Sequence, residues 1–282
     1  MLIYRAPAKV NLFLEVLGKR SDNYHNLNTF FLKIDLWDKL YFRLQEKGIK
    51  ICCDHRHVPQ NSNNLVYKAA RLLQQQARVQ KGVQIKIEKK IPVAAGLGGG
   101  SSDAAITLVA VNKLWNLKLK RHTLLKLARQ LGSDVPIFLS PFTSAWARGR
   151  GDRLRPLKLK KKYWLVLVNP QIAVSTKQIF KGVPRYLTNI RNDVKLLTNA
   201  LNRADIETIG TQLFNRLEDI TFRKYRGLAK IKKNMSALGV RAVLMSGSGS
   251  VIFGIVKNRE EAMCIRNKLQ RKSLEVMVVR SL

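Results

Sequence analysis

The fold is decided by a glycine-rich stretch at Ile91–Ala105, which reads Ile-Pro-Val-Ala-Ala-Gly-Leu-Gly-Gly-Gly-Ser-Ser-Asp-Ala-Ala. Apolar and polar residues alternate over residues 83–88 just before it, which is the period of a half-buried strand. Apolar residues recur at helical spacing over residues 104–115 just after it. The sequence therefore predicts a strand, a glycine-rich loop and a helix that begins near Ser101–Ser102.

Such a loop is suited to binding an anion. Glycines allow backbone N–H groups to approach a phosphate closely, and a helix N-terminus adds unpaired donors with a partial positive charge. The serines can cap the helix, or turn a hydroxyl toward a phosphate or its magnesium ion. The loop is neither a Walker loop, since no Lys follows its last glycine, nor a dinucleotide-binding G-x-G-x-x-G motif. A flexible turn capped by serine is the alternative interpretation.

The composition is that of a globular protein. The 282 residues are 46% apolar, and no apolar run approaches the roughly 20 residues that a membrane helix needs. The first residues show no basic region followed by an apolar core and a cleavage site, so no secretion signal is expected. Three cysteines, two of them adjacent at Cys52–Cys53, fit neither a disulfide framework nor a zinc pattern. We therefore expect a cytoplasmic protein with no membrane partner.

The net charge is the unusual feature of the composition. Lys and Arg number 52 against 18 Asp and Glu, which gives a formal charge of +34. Such a surface attracts nucleic acid, membranes or anionic metabolites. The basic residues are spread along the chain, whereas a nucleic-acid module more often concentrates them on one element with interleaved aromatics. We expect a small-molecule substrate and no obligate nucleic-acid partner, with a basic nucleic-acid-binding protein as the alternative.

Two charged residues are candidates to act beside the loop. Lys9 shares one face of an early strand with Asn11, and a polar pair of this kind ordinarily lies on the solvent side. Next to a phosphate loop, Lys9 becomes a candidate partner for an anion. Asp134 stands at the start of a short helix, where an Asp is ordinarily only a cap. It is nevertheless the best carboxylate available to meet Lys9.

Other segments give a coarse secondary structure. Residues 30–44 are mostly strand, interrupted around Asp35–Lys39, and Asn61–Asn64 is typical of a helix cap. A helical pattern covers Asp205–Asp219. Tyr24–His25 lies in a turn-rich segment and, taken alone, is ordinary surface.

The second half of the chain alternates between strands and helices. From a buried strand at Tyr163–Val168 onward, the order is β-α-β-β-α-β with extra helices inserted, which is the ferredoxin-like arrangement. We place a domain boundary between residues 156 and 157. The loop Ser246–Ser250 joins two short strands, and either a hairpin turn or a loop that lines a site accounts for it.

Three segments, in this order along the chain, resemble the motifs of the GHMP kinases: Pro7–Leu14, Pro92–Ala105 and Val243–Ser250. The family's phosphate-loop pattern, Pro-x3-Gly-Leu-x-(Gly)-Ser-Ser-Ala, is matched by Pro92, Gly96, Leu97, Ser101 and Ser102. The resemblance implies an α+β, two-domain GHMP kinase fold. Its N-terminal ATP-binding domain would be ribosomal S5 domain 2-like over residues 1–156, and its C-terminal domain ferredoxin-like over residues 157–282.

Within this superfamily the chain is most similar to the 4-diphosphocytidyl-2-C-methyl-D-erythritol kinases, through Asp22–His25, Leu131–Pro136 and Ala147–Gly151. This resemblance implies ATP-dependent phosphorylation of the 2-hydroxyl of that cytidine diphosphate compound, a step of the non-mevalonate isoprenoid pathway. Mg²⁺ would bridge the ATP phosphates, through ligands that stay open, as does the oligomeric state. A GHMP kinase for another alcohol, such as homoserine or a mevalonate-type compound, is the alternative.

The resemblance also implies residue roles. Lys9 and Asp134 would be the catalytic pair, with Asp134 as general base. Four residues would bind the substrate: Asn11, Tyr24, His25 and Thr176. Thirteen would bind ATP: Asn64, Lys89, Pro92, Val93, Ala94, Ala95, Gly96, Leu97, Gly98, Gly99, Gly100, Ser101 and Ser102. Asn23 stands where the family usually has Gly, and we expect the turn to survive because Asn tolerates a left-handed conformation.

Overall fold

The computed structural model describes residues 1–22, 24–184 and 194–282. The expectation for the turn at Asn23 therefore lies outside the described residues. The chain divides into two compact units. Unit 1 contains Met1–Ala8, Leu36–Val93 and Gly98–Pro141, and unit 2 contains Lys9–Asp35, Ala94–Leu97 and Phe142–Leu282. The predicted domain boundary between residues 156 and 157 stays a prediction.

The described elements are numbered in chain order. The strands are β1 (Leu2–Lys19), β2 (His25–Gln45), β3 (Ile49–Cys53), β4 (Gly82–Glu88), β5 (Ser144–Gly149), β6 (Arg153–Pro156), β7 (Trp164–Asn169), β8 (Phe214–Asn215), β9 (Ala242–Met245), β10 (Ile252–Val256) and β11 (Glu275–Arg280). The helices are α1 (Leu65–Ala77), α2 (Gly99–Leu114), α3 (Arg121–Leu131), α4 (Val135–Leu139), α5 (Thr176–Lys181), α6 (Val194–Arg203), α7 (Ile206–Gln212), α8 (Leu217–Lys224), α9 (Arg226–Ala237) and α10 (Arg259–Leu269). The larger sheet has the order β3-β4-β2-β1-β8, with β5 paired to β2 and β6 to β5.

Unit 1 contains the strand that leads into the glycine-rich stretch. β4 pairs antiparallel with residues 39–45 of β2 and parallel with β3. The alternate residues Val83, Ile85 and Ile87 are fully buried, because successive side chains of a strand point to opposite faces. The predicted strand is confirmed.

β2 runs without a break through residues 35–39, so the predicted interruption is wrong. The polar Asp38 is fully buried in this strand, and its carboxylate accepts hydrogen bonds from the backbone N–H groups of Lys90 (2.6 Å) and Ile91 (2.9 Å). A carboxylate with such partners is compatible with a strand interior, since a buried polar group is costly only when it is unpaired. The partners lie far away in sequence, so no local pattern indicates them.

Helix α2 begins at Gly99, earlier than predicted, and neither serine caps it. Gly98 occupies the N-cap position with a φ of 71°, a left-handed conformation that glycine adopts without steric cost. A Cβ atom at Gly99 would lie 3.0 Å from Ile91 Cγ2 and 3.2 Å from Lys89 Nζ, so this first turn packs closely on the end of the preceding segment. Close packing here explains why a residue of poor helix propensity starts the helix.

Unit 2 contains a four-stranded antiparallel sheet in the order β11-β7-β10-β9. Numbered by their order in the motif, these strands are 4-1-3-2, and helix α10 connects β10 to β11. The predicted ferredoxin-like order is confirmed. A core that includes Val166, Val168 and Ile252 lies under α9 and α10.

The helix predicted over Asp205–Asp219 is divided into α7 and α8 by the short strand β8. Residues Phe214 and Asn215 pair in parallel with Phe13 and Leu14 of β1, and the two phenylalanine rings pack with centroids 5.8 Å apart. These tertiary contacts override the local helical pattern. Among the described helices, none is long and apolar enough to cross a membrane.

Candidate active site

The middle of the glycine-rich stretch, Ala94–Leu97, belongs to unit 2, where protein donors hold its carbonyl oxygens. Three of these carbonyls accept hydrogen bonds from backbone N–H groups: Ala94 O from Val174 (3.2 Å), Ala95 O from Val251 (3.2 Å) and Leu97 O from Lys9 (3.0 Å). The remaining carbonyl, that of Gly96, accepts from Lys9 Nζ at 3.1 Å and from Ser246 Oγ at 2.9 Å. The loop is thus fixed through four successive carbonyls, which favours the use of its N–H groups for an anion.

Lys9 and Asn11 are buried rather than on a solvent face, with exposed fractions of 3% and 1%. Lys9 Nζ donates to Asn11 Oδ1 at 2.6 Å as well as to Gly96, and it lies 5.4 Å from the centroid of the Phe31 ring. Asn11 Nδ2 in turn donates to Thr29 Oγ1 at 2.9 Å. The ammonium group is therefore held in a fixed position beside Gly96. A buried charge of this kind is costly unless it is paired and hydrogen-bonded.

The second glycine-serine loop, Ser246–Ser250, packs against the first. Its serines at 246, 248 and 250 are buried, and Ser246 Oγ accepts a hydrogen bond from the Asn11 backbone N–H at 3.3 Å. Asn215 Nδ2 donates to the carbonyl oxygens of Met245 (2.8 Å) and Gly247 (2.7 Å). These contacts exceed what a hairpin turn needs and place the loop next to Gly96 and Lys9.

The last part of the glycine-rich stretch, Gly98–Ser102, lies in unit 1 at the N-terminus of α2. Gly100 is exposed, and apart from its chain neighbours and the nearby backbone of α2, no described atom lies within 4 Å of the position that a Cβ would take. Ser102 Oγ is buried and has no hydrogen-bond partner in the described part of the chain. The helix end therefore offers open space and an unused hydroxyl.

Two predicted ATP-binding residues of unit 1 are already engaged within the protein. Asn64 caps α1, where its Oδ1 accepts from Val66 N–H at 2.9 Å and its Nδ2 donates to Pro59 O at 2.6 Å. Lys89 Nζ forms ion pairs with Asp38 and, at 2.9 Å, with Asp103. The roles of Asn64 and Lys89 toward a nucleotide remain predictions.

Asp134 occupies the N-cap position of α4, as the sequence predicts, and a proline lies just inside the helix. Its side chain is only half-buried and accepts no capping hydrogen bond from the described backbone of α4. The carboxylate is therefore not used as a cap. Asp134 belongs to unit 1 and Lys9 to unit 2, and their pairing stays a prediction.

The predicted substrate residues Tyr24 and His25 lie in unit 2 next to aromatic and cationic groups. The Tyr24 side chain is 45% exposed, and Arg150 Cζ lies 3.6 Å from its ring centroid. The His25 ring packs on Phe180 with centroids 5.2 Å apart. Burial, and to a smaller extent the Lys19 ammonium, lowers the pKa of His25, so its imidazole is mostly neutral at pH 7.

Thr176 begins helix α5, and its Oγ1 lies 2.8 Å from Ser248 Oγ. This contact joins a predicted substrate residue to the second glycine-serine loop. The structure thus brings together, within unit 2, two groups of predicted residues: Lys9 with Asn11 and Gly96, and Thr176 with Ser248.

Sequence reasoning missed several residues that hold these groups in place. Thr29 orients Asn11, Asn215 holds the Ser246–Ser250 loop, and Arg150 covers one face of Tyr24. Asp38 binds the backbone at the start of the glycine-rich stretch. The one available signal was Arg150, within the Ala147–Gly151 segment; the others act through contacts between residues far apart in sequence.

Comparison with known proteins identifies the family. A family model described as GHMP kinases N terminal domain matches residues 64–141, and one described as GHMP kinases C terminal matches residues 197–275. A 4-diphosphocytidyl-2-C-methyl-D-erythritol kinase of Bacillus cytotoxicus is 43% identical over 283 residues, which cover 100% of this chain and 97% of that protein.

Solved structures agree with this assignment. A crystal structure of 4-(cytidine 5'-diphospho)-2C-methyl-D-erythritol kinase superposes with a TM-score of 0.84 at 36% identity, covering 99% of each chain. A homoserine kinase from Cytophaga hutchinsonii gives a TM-score of 0.75 at 20% identity, over 99% of this chain and 94% of that one, which shows a shared fold. The predicted two-domain fold is therefore confirmed, and the chain belongs to the GHMP kinases.

Proposed function

We propose that this protein transfers the γ-phosphoryl group of ATP to the 2-hydroxyl of 4-diphosphocytidyl-2-C-methyl-D-erythritol, in the non-mevalonate isoprenoid pathway. The observation that carries the proposal is the fixed loop Ala94–Leu97, whose carbonyls are all engaged beside the buried Lys9 ammonium. Two Bacillus 4-diphosphocytidyl-2-C-methyl-D-erythritol kinases, 43% identical over the whole of this chain and 97% of their own length, support this choice of substrate.

ATP would bind with its phosphates on residues Pro92–Ser102 of the glycine-rich stretch. The open space at Gly100 and the N-terminus of α2 suit a polyanion, because unpaired N–H groups and the helix dipole both attract negative charge. Mg²⁺ would neutralise the phosphates and help to align them. No cluster of three or more His, Cys, Asp or Glu side chains suited to a metal occurs among the described residues, so phosphate oxygens would supply most ligands. Ser102, with its unused hydroxyl, is the side chain of the loop that fits this role.

Asp134 would accept the proton of the attacking hydroxyl, and Lys9 would orient that carboxylate and stabilise the developing charge. Their settings suit these tasks: Asp134 stands half-buried at the start of α4, and Lys9 Nζ is fixed by Asn11 and Gly96. A general base contributes about 10²–10⁴-fold, and positioning with electrostatic stabilisation supplies much of the rest in phosphoryl transfer.

The cytidine would lie on Tyr24 and His25. The Tyr24 ring is 45% exposed, with Arg150 over one face, and would stack its other face on a base. A neutral His25 imidazole offers one donor and one acceptor, which suits the polar edge of cytosine. Asn11 and Thr176 would contact the methylerythritol part.

The state of the cysteines supports one cellular setting for this function. Cys52, Cys53 and Cys264 are all free in the structure, and an exposed free thiol is favoured by a reducing compartment. This supports a cytoplasmic location.

Replacement of Asp134 tests the chemical role most directly. Asp134→Asn keeps the shape of the side chain but removes the base, so we expect kcat to fall by about 10²–10⁴-fold. Asp219→Asn, at an exposed position of α8, is the matched control and should keep wild-type turnover. Turnover by Asp134→Asn at the wild-type rate would refute the assignment of the base.

A further inference from the structure

Three buried charged side chains form a cluster in unit 1 that the reaction scheme leaves without a role. Lys89 Nζ bridges the carboxylates of Asp38 and Asp103, and the three side chains are only 4%, 0% and 4% exposed. Asp103 Oδ1 is buried and has no hydrogen-bond partner among the described residues. We call this group the Lys89 clasp.

The Lys89 clasp joins the two ends of the glycine-rich stretch. Asp38 Oδ1 accepts from the backbone N–H groups of Lys90 and Ile91, at the start of the stretch. Asp103 lies in the second turn of α2, near the end of the stretch. Lys89 therefore connects the carboxylate of Asp38 in β2 with the first turns of helix α2, the helix that follows the phosphate loop.

The helix start rests directly on this ammonium. A Cβ at Gly99 would lie 3.2 Å from Lys89 Nζ, so the first residue of α2 and the clasp are in close contact. Displacement of Lys89 would free the N-terminus of α2 to shift relative to Ile91. That N-terminus carries the N–H groups that a phosphate would meet.

The charges of the cluster explain why Lys89 is needed. Burial alone would lower the pKa of Lys89, but the carboxylates of Asp103 and Asp38 more than offset this and hold its pKa above the usual value. Two adjacent buried carboxylates without a cation would repel one another and the incoming phosphates. The ammonium thus binds both acids and reduces the negative charge near the helix end.

We propose that Lys89 is a positioning residue, which sets the place of the phosphate-loop helix through Asp103 and Asp38 and does not contact the adenine. This role differs from the one that the family resemblance implies for Lys89. The proposed role rests on the proposed function only because it takes ATP as the bound nucleotide. It does not depend on which alcohol is phosphorylated.

Equilibrium binding of ATP and of adenosine distinguishes the two roles. In Lys89→Met we expect ATP affinity, measured calorimetrically with Mg²⁺ and no alcohol, to fall tenfold or more, while adenosine affinity stays within twofold of wild type. Adenosine carries no phosphate, so it reports base contacts alone. Lys90→Met, at the exposed neighbouring position, is the matched control and should bind both ligands as the wild type does.

Steady-state kinetics supply a second readout. Lys89→Met should raise KM for ATP and leave KM for the alcohol unchanged. If Lys89→Met does not fold, Lys89→Gln takes its place, because its amide can still donate to the carboxylates. In that variant we expect a smaller loss of ATP affinity and a smaller rise in KM for ATP, again with adenosine affinity and KM for the alcohol unchanged. An equal loss of adenosine and ATP affinity would overturn the proposal in favour of a base contact, and unchanged ATP affinity would overturn it outright. A wild-type protein that binds no ATP would refute the proposed function instead.

Discussion

Replacement of Gly96 by alanine should damage the phosphate loop in a way that the structure allows to be estimated. Gly96 has a φ of 81°, and a Cβ there would lie 2.0 Å from the carbonyl oxygen of Ser246 and 3.0 Å from its carbonyl carbon. The left-handed conformation costs an L-residue about 1–2 kcal/mol. Forcing a methyl group into a packed site costs roughly 1–3 kcal/mol more, because here backbone must move. The sum is about 2–5 kcal/mol.

Thermal unfolding measures this change. At about 2–4 °C per kcal/mol for a protein of a few hundred residues, Gly96→Ala should lower Tm by roughly 4–20 °C. Turnover should also fall, since Gly96 O accepts from both Lys9 Nζ and Ser246 Oγ and would be displaced.

Gly100→Ala is the matched control within the same loop. A Cβ at Gly100 meets no described atom within 4 Å beyond its chain neighbours and the nearby backbone of α2, and alanine favours a helical backbone over glycine by up to about 1 kcal/mol. Its Tm should equal or slightly exceed that of the wild type. If Gly96→Ala melted within a degree of wild type, the close contact between the loops would be disproved.

Three further outcomes are expected. Burial raises the pKa of Asp103 to about 7 even against Lys89. Between pH 4 and 7 the unfolded chain therefore releases this proton while the folded protein still holds it, and the ion pair of Asp103 with Lys89 is complete only from about pH 7 upward. The contribution of Asp103 to stability therefore decreases as pH rises through that window. In urea unfolding, the free energy of unfolding of Asp103→Asn minus that of the wild type should therefore increase from pH 4 to pH 7. A difference that stays constant over this range would contradict the raised pKa of Asp103. Tyr24→Ala should raise KM for the cytidine substrate roughly 5- to 100-fold, the worth of one stacked base, and leave KM for ATP unchanged; an unaltered KM for the acceptor would point to an alcohol without a base. With a net charge of +34 and two polyanionic substrates, kcat/KM should decrease with ionic strength while kcat stays nearly flat, and a flat kcat/KM would exclude electrostatic steering.

The parts of the fold that follow from local pattern could be predicted. The sequence predicts the alternation in β4 and the order of elements around the sheet of β7 and β9–β11. Both could be predicted because the period of side chains and the order of elements are visible in the local pattern. The helix cap at Asn64 could be predicted for the same reason.

The errors arose where distant residues decide the local structure. β2 continues through Asp38 because the backbone of Lys90 and Ile91 binds that carboxylate. β8 interrupts a helical pattern because Phe214 packs on Phe13. Helix α2 starts at a glycine because a Cβ at this position would press tightly on the side chains of Ile91 and Lys89, at 3.0 and 3.2 Å.

The candidate site shows the same division. The motif identified Lys9 as a candidate, but alternation alone suggested a solvent face, whereas the side chain is buried against Gly96. The Gly96 carbonyl to which Lys9 donates is also held by Ser246, which lies more than two hundred residues away in the sequence. No pattern within one strand could indicate this.

The most direct test of the central claim is a comparison of three alcohols as phosphoryl acceptors. Purified protein would be incubated with ATP, Mg²⁺ and either 4-diphosphocytidyl-2-C-methyl-D-erythritol, mevalonate or homoserine, and ADP release would be followed. We expect turnover with the cytidine compound alone, lost in Asp134→Asn. Turnover with mevalonate or homoserine instead would contradict the role of Tyr24 and His25, and no turnover with any of the three would contradict the proposed function itself.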